Sequence, residues 1–346
     1  MSQGGKTAAL LVNWRVTSEP PLSRMLAEEG GWEVEAVGGA FPARITRLTK
    51  ILVAWPAYLL VPLKVALGPR RDYLIAWQQV YGLVLALISR FLPWMSSARI
   101  CVLSFIVVPS KQVGWIRQLI ELALQSPNLR AAVCYNRAEV AHYRKVFPKA
   151  AEKIVLATLA EEIPEVERFE IRDEGYYVAA GRSNRDYEFL VRVFEGLPAL
   201  RLVIICDQFA PRSPLPSNVE VRNNAFGFDY FNALAGARAV VMSFNDPTIS
   251  SGQLVFLHAC QFGKPVLVTV SSCLEGYVFD GQNGLVVEKD TAAFVNGLKQ
   301  MAEPEIYARL QEQACQMYWE RFSVRQLARR VVSLMETPPS QERIDE

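Results

Sequence analysis

Short apolar runs alternate with helix-period patterns along almost the whole chain, which predicts an α/β protein. In the first half, strands are expected at Thr7–Val12, Trp32–Val37, Tyr73–Trp77, Ile100–Val107, Ala131–Tyr135 and Lys153–Ala157. Helical patterns fall near Pro20–Glu29, Tyr81–Phe91 and Arg137–Val146. The second half repeats the rhythm, with strands at Tyr176–Ala180, Leu200–Cys206, Val219–Asn223, Ala239–Phe244, Pro265–Val270 and Gly284–Glu288. Helices fit between them at Tyr187–Phe194, Asp229–Gly236, Gly252–Phe262 and Thr291–Ala302, and amphipathic helices follow from Pro304. The runs RLVIIC, AVVMSF and PVLVTV are apolar throughout, as strands of a parallel sheet covered on both faces are.

One stretch breaks the rhythm. Residues 161–174, EEIPEVERFEIRDE, carry seven acids and two arginines. This reads as a connection between two domains, residues 1–168 and 169–336, with the last helices of the second as candidates to cross back to the first and 337–346 as a polar tail.

Composition narrows the class. The chain has 346 residues, 51% of them hydrophobic and 21% charged, which excludes a disordered chain and a disulfide-dense mini-protein. A net charge of +2 gives no footprint for broad nucleic-acid binding, so no nucleic-acid partner is expected. No two of the six cysteines stand within three residues of each other, and there are two histidines, so a zinc site is not expected. The opening MSQGGKTAALLVNW reads as a first strand, with no secretory signal, and a cytoplasmic setting follows. No run reaches the ~20 apolar residues that a spanning helix needs.

Charge is nonetheless uneven. Residues 36–71 contain no acid and six bases, Arg44, Arg47, Lys50, Lys64, Arg70 and Arg71. Among them lies ILVAWPAYLLVPL, with Trp55 and Tyr58. Basic residues beside an anionic leaflet contribute ~1 kcal/mol each, and amphipathic rings suit the headgroup level. The block therefore predicts contact with an anionic membrane surface.

The chemistry-bearing segments lie in the second half. QGGKT lacks the first glycine of a phosphate loop and precedes its strand, and no G-x-G-x-x-G follows the first strand, which argues against an ordinary nicotinamide dehydrogenase. In YYVAAGRSNRDYEFL, Gly181, Arg182 and Arg185 come between a strand and a helix. Strand ends of a parallel sheet face the ligand crevice, and guanidinium forks suit a diphosphate. In DPTISSGQLVFLHACQFGKPVLVTV, the small residues Ser250, Ser251 and Gly252, with Gln253, open an apolar helix whose N–H groups favour anions.

The ordered set GRSNRDYEFL, SSGQLVFLHACQFGKPVLVTV and YVFDGQNGLVV resembles the C-terminal half of the large retaining glycosyltransferase family 4, the "glycosyl transferases group 1" proteins. The likeness covers roughly residues 175–302. It implies the GT-B fold, an α/β architecture of two Rossmann-like domains facing a central cleft. It implies that Arg182 and Arg185 stabilise the leaving diphosphate. It assigns Gly181, Ser250, Ser251, Gly252, Gln253 and His258 to donor binding, and Asn224, Ala225 and Phe226 to the nucleobase. The family carries two glutamates eight residues apart at this helix, where this sequence has Ser250 and His258. On the acceptor side, Asn13 and Arg15 follow the first strand, and Gln78 and Gln79 follow the third.

The expectation is a metal-independent hexosyltransferase without a cofactor. It moves sugar from a nucleotide-diphosphate sugar to a saccharide or lipid-linked acceptor, in surface polysaccharide or glycolipid biosynthesis. It works as a peripheral protein on the inner face of the cell membrane. A non-catalytic GT-B-like module that binds nucleotide or saccharide, or scaffolds a partner, is the rival, supported by the missing glutamates. A nucleotide-sugar epimerase of the same fold needs cleft carboxylates, and none stands out.

Overall fold

The computed structural model describes residues 5–39 and 55–337. Contacts divide the chain into two compact units, the first taking Met1–Ala157 and Val324–Glu346, the second Thr158–Ser323.

The first unit contains β1 (Thr7–Val12), α1 (Pro21–Gly30), β2 (Glu33–Gly38), α2 (Trp55–Leu67), β3 (Tyr73–Ala76) and α3 (Gln79–Ile88). It continues through β4 (Arg99–Val102), α4 (Gly114–Leu124), β5 (Leu129–Cys134), α5 (Arg137–Val146) and β6 (Ile154–Leu156). All six strands pair in parallel in the order β2-β1-β3-β4-β5-β6. The chain leaves β1 first toward β2 and then toward β3. Right-handed crossovers therefore put α1 on one face and α2–α5 on the other. Within that layer α3 packs against α2 on one side and α4 on the other. A Cβ on Gly82 would lie 2.4 Å from Val102 Cγ2, so α3 rests directly on β4 and admits no larger residue there.

The predicted strand Ile100–Val107 is cut short at Val102. Beyond it, side chains replace the sheet ladder: Gln79 Oε1 accepts from Ile106 N at 2.9 Å, and Tyr143 Oη from Val107 N at 2.8 Å. The membrane block also needs correction. Arg44, Arg47 and Lys50 lie outside the described residues. Trp55 opens α2. Tyr58 turns inward, its ring 5.9 Å from that of Tyr81. Arg71 is ion-paired with Glu35. Leu59, Leu60, Leu63, Lys64 and Leu67 form the exposed side of α2, and Arg70 is exposed just beyond it.

The second unit contains β7 (Tyr176–Ala180), α6 (Tyr187–Glu195), β8 (Arg201–Ile205), β9 (Val219–Arg222), α7 (Phe228–Gly236) and β10 (Ala239–Met242). Then come α8 (Gln253–Gln261), β11 (Val266–Thr269), β12 (Gly284–Val287), α9 (Thr291–Ala302) and α10 (Pro304–Met317). Its parallel sheet runs β12-β11-β10-β7-β8-β9. The buried strand positions form two cores, one on each face of the sheet.

The domain boundary falls at 157/158 instead of 168/169. Residues 158–174 belong to the second unit, because their few apolar side chains go inward. Ile163 and Phe169 are buried there, and Phe169 packs against Phe228, Phe231 and Phe262. Gln261 fastens this segment with both amide atoms, accepting from Ile163 N and donating to Glu161 O, each at 2.9 Å. The last helix, α11 (Val324–Glu336), returns to the first unit. Arg325 and Arg329 pair there with Glu28 and Glu29 on α1.

Lys264 is 1% exposed and donates to Arg172 O at 2.7 Å. Burial pushes its pKa from 10.5 down to about 8. Between these two values the unfolded chain binds the proton and the folded chain does not, so stability rises with pH across that window. Below pH 8 both states are charged, and the folded state bears the full desolvation cost. The stability of wild type relative to Lys264→Met is therefore expected to be greater at pH 9.5 than at pH 7. Denaturant melts of the pair at both pH values check this; a constant difference would refute it.

Candidate functional site

In the second unit the strand order reverses between β7 and β10, and such a switch point opens a crevice at the carboxyl ends of the strands. Two loops meet there, Gly181–Asp186 after β7 and Ser243–Gly252 after β10. Asn184 laces them together from a left-handed backbone conformation (φ 57°), donating to Asp246 O at 2.6 Å and accepting from Asp246 N at 2.9 Å. Asn245 donates to Arg185 O at 2.9 Å, and Asp186 N donates to Ser243 O at 2.9 Å.

Arg182 and Arg185 take different positions in this frame. Arg182 is exposed and bidentate on Asp207, at 2.7 and 2.8 Å, with its guanidinium 5.5 Å from the Phe226 ring. Arg185 is half-buried, and partial loss of hydration lowers its pKa. Its Nε donates to Ala180 O and its Nη1 to Ser183 O, both at 2.9 Å, and it lies 5.1 Å over the Phe244 ring. Among the described residues no carboxylate pairs with it; neighbouring Asp186 is taken by Lys289 at 2.8 Å. A half-buried cation without a counter-charge is a candidate for a site where a ligand supplies the missing charge. The guanidinium lies against Gly181, where a Cβ would come within 2.8 Å of Arg185 Nη2.

A pocket of about 310 Å³ opens beside this loop. Gly181, Arg182 and Asp207 form one side, Ala225 and Phe226 another, and Tyr230, Leu254, Val255 and His258 a third. Its size and mixed lining fall in the range of small-ligand sites. His258 is 7% exposed. Its Nδ1 is 3.0 Å from Tyr230 Oη, while its buried Nε2 has no hydrogen-bond partner and stands 3.9 Å from Glu161 Oε1. Burial raises the Tyr230 pKa, keeping the phenol protonated and able to donate to Nδ1.

The other predicted donor residues distribute around the pocket. Ala225 and Phe226 line it, whereas Asn224 faces an adjoining polar hollow with Arg222, Asp229 and Asn232. Ser250, Ser251, Gly252 and Gln253 are not in its wall. They form the entry to α8, where Gln253 Nε2 donates to Ser250 Oγ at 3.0 Å. Gly252 has φ 101° and a Cβ there would lie 2.9 Å from the Phe244 ring, so glycine is required; no side chain caps the helix.

In the first unit Asn13 and Arg15 follow β1 at its own switch point beside β3. Gln78 and Gln79 are engaged with backbone, Gln78 capping Val80 N at 2.5 Å and Gln79 holding Ile106 N. Their side chains position loops. Asp207, Tyr230 and Glu161 were not foreseen, since their partners are distant in sequence.

Among the described residues no group of three or more His, Cys, Asp or Glu is placed to hold a metal ion, and no helix is long and apolar enough to cross a membrane.

No family model and no curated protein matches the sequence. Solved structures do. The sucrose-phosphate synthase from Thermosynechococcus elongatus superposes with a TM-score of 0.68 at 14% identity, over 95% of this chain and 98% of that one. The Anabaena protein HepE in complex with UDP-glucose gives 0.62 at 13%, over 94% and 98%. WaaG, a glycosyltransferase involved in lipopolysaccharide biosynthesis, gives 0.57 at 15%, over 95% and 99%. The class these likenesses define is a fold: the chain is a two-domain, Rossmann-like GT-B protein. Within that class its neighbours include glycosyltransferases and also a protein described as a UDP-N-acetylglucosamine 2-epimerase, from Listeria monocytogenes (TM-score 0.56 at 11% identity, over 97% and 99%).

Proposed function

We propose that the protein is a glycosyltransferase that takes its sugar from a nucleoside-diphosphate donor bound in the second unit. The observation that carries this reading is Arg185, a half-buried guanidinium without a carboxylate partner among the described residues at the β7/β10 switch point, next to a nucleoside-sized pocket. The nucleoside occupies the pocket between Phe226 and the Tyr230–His258 pair, which form its walls. The diphosphate lies toward Gly181, Arg185 and the start of α8. As the anomeric carbon–oxygen bond breaks, charge grows on the departing diphosphate, and Arg185 and Arg182 stabilise it in the role a metal ion takes elsewhere. The likeness to a HepE structure holding UDP-glucose supports this arrangement. The acceptor, a saccharide or lipid-linked saccharide, is assigned to the first unit. The exposed leucines of α2, with Lys64 and Arg70, support a peripheral position on the inner membrane face.

A panel of nucleoside diphosphates and nucleotide sugars, read by thermal shift and saturation-transfer NMR, tests this. At least one is expected to bind, and His258→Ala, which removes part of the pocket wall and the partner of Tyr230, to weaken that binding about tenfold. If no member binds, the reading fails. Binding with neither transfer nor donor hydrolysis favours a non-catalytic module, the reading for which Ser250 and His258, standing where the family has glutamates, argue.

A further inference from the structure

Three titratable side chains from separate parts of the second unit line up behind one wall of the pocket. Tyr230 comes from α7, His258 from α8, and Glu161 from the segment that follows residue 157. Tyr230 and His258 belong to the wall itself, and Glu161 stands behind it. The His258 ring is fixed by edge-on contacts with Phe231 at 5.1 Å and Tyr230 at 5.7 Å. The backbone around Glu161 is fixed as well. Its carbonyl accepts from Gln261 Nε2 at 2.9 Å and from Tyr318 Oη at 2.8 Å, and Tyr277 Oη accepts from Leu159 N at 2.8 Å. A carboxylate is thus carried on a held backbone to 3.9 Å from the buried His258 Nε2.

This arrangement decides where the imidazole proton sits. Neutral imidazole has one N–H donor and one bare acceptor nitrogen. Nε2 faces a carboxylate oxygen, which only accepts, whereas Nδ1 faces a hydroxyl, which can do either. Both contacts are favourable in one arrangement alone, with the proton on Nε2 and the Tyr230 hydroxyl donating to Nδ1. The phenol's one hydrogen is then used inside the wall. What remains on its oxygen is lone-pair density, so Tyr230 can accept from a ligand and cannot donate to it. Phosphate oxygens only accept and gain nothing from such a group, whereas a ligand hydroxyl does. Burial raises the Tyr230 pKa and Arg185 partly offsets this, so the hydroxyl lies within electrostatic reach of the loop after β7.

We propose that Tyr230 is a specificity-determining residue whose oxygen accepts a hydrogen bond from a ribose hydroxyl of the nucleotide, with His258 and Glu161 as the residues that position it. Resting on the nucleotide reading above, this makes a ribonucleotide the preferred ligand over its deoxyribose counterpart. Glu161 acts through His258, and His258 through Tyr230.

Isothermal titration of the full chain with UDP, GDP, ADP and CDP, each beside its deoxyribose counterpart, measures the preference. For a nucleotide that binds, wild type is expected to favour the ribose form at least ~10-fold, the scale of one hydrogen bond whose partner is left unpaired. Tyr230→Phe is expected to bring that ratio to within about twofold. Glu161→Ala leaves the pocket wall intact and is expected to lower the ratio severalfold. Glu161→Gln, whose amide oxygen can still accept from Nε2, is expected to restore part of it. Proton–nitrogen correlation spectra of the imidazoles follow the cause directly, and with two histidines in the chain only His142 has to be told apart. The His258 proton is expected on Nε2 in wild type and shared between both nitrogens in Glu161→Ala. Equal affinity for ribose and deoxyribose forms overturns the inference while leaving nucleotide binding standing, as does a ratio that survives Tyr230→Phe. A wild-type His258 proton on Nδ1 overturns it whatever binds. If no nucleotide binds, the nucleotide reading itself falls, and this inference with it.

Discussion

Arg185→Ala is expected to lower kcat/KM for sugar transfer by at least ~100-fold, the scale of losing one preorganised charge contact to a transition state. The loss falls mainly on kcat, because the interaction strengthens as negative charge collects on the departing diphosphate. Arg182→Ala is expected to be damaging but milder, since Asp207 already neutralises its guanidinium and Phe226 shares its position. Its effect falls more on KM, through the wall of the pocket. Arg185→Lys restores charge without the planar fork and is expected to recover only part of the rate. Steady-state kinetics on the three variants decide the matter. Near wild-type turnover in Arg185→Ala would falsify the anion-binding role, and a drop in thermal midpoint without a kinetic change would leave it only a structural one.

Phe256→Ala is expected to destabilise the second unit by ~3–5 kcal/mol, the range for removing a fully buried aromatic ring. Phe256 is completely buried on α8, edge-on to Tyr277 at 6.1 Å and to Phe322 at 5.6 Å, and those two rings stack on each other. Domain stabilities total only ~5–15 kcal/mol, so a large share is removed. A calorimetric transition falling by roughly 6–20 °C is the expected reading. Because α8 also carries His258 and begins at Gly252, the same cavity loosens the pocket wall, and affinity for the nucleotide should fall with it. Phe256→Leu keeps most of the volume and is expected to lose less than half as much. A loss under ~1 kcal/mol in the alanine variant would show that the three-ring cluster does not hold α8.

The strands were legible because a parallel sheet covered on both faces needs nearly unbroken apolar runs. Five strands of the second unit fall where those runs lie, and the edge strand β9, VEVR, alternates instead because one side of it is exposed. Loops and half-exposed elements were harder to place. The helix α4 went unseen because apolar residues occupy its exposed side as well as its buried one, which erases the helical period. The segment 161–174 was read by its charges, whereas Ile163 and Phe169 decide which unit holds it. At the site, Gly181, Arg182 and Arg185 could be placed because a strand end and a glycine mark the spot. Asp207, which occupies Arg182, comes 25 residues later and announces itself by no pattern. Tyr230 and His258 meet across 28 residues, and Glu161 approaches His258 from the other end of the unit. Such pairings arise from tertiary packing. Gln78 and Gln79 show the converse: their position at a strand end was right, but the backbone claims their amides.

The return of α11 to the first unit sets an order of assembly during synthesis. Thr158–Ser323 is one uninterrupted stretch, so everything the second unit needs has emerged once Ser323 clears the ribosome. The first unit begins earlier and finishes later. Until Val324–Glu336 emerges, Glu28 and Glu29 lack their arginines, and the surface of α1 that α11 covers stays open to water. The part of the molecule made first is therefore the last to be closed, and it waits through the making of the whole second unit with an unfilled helix position.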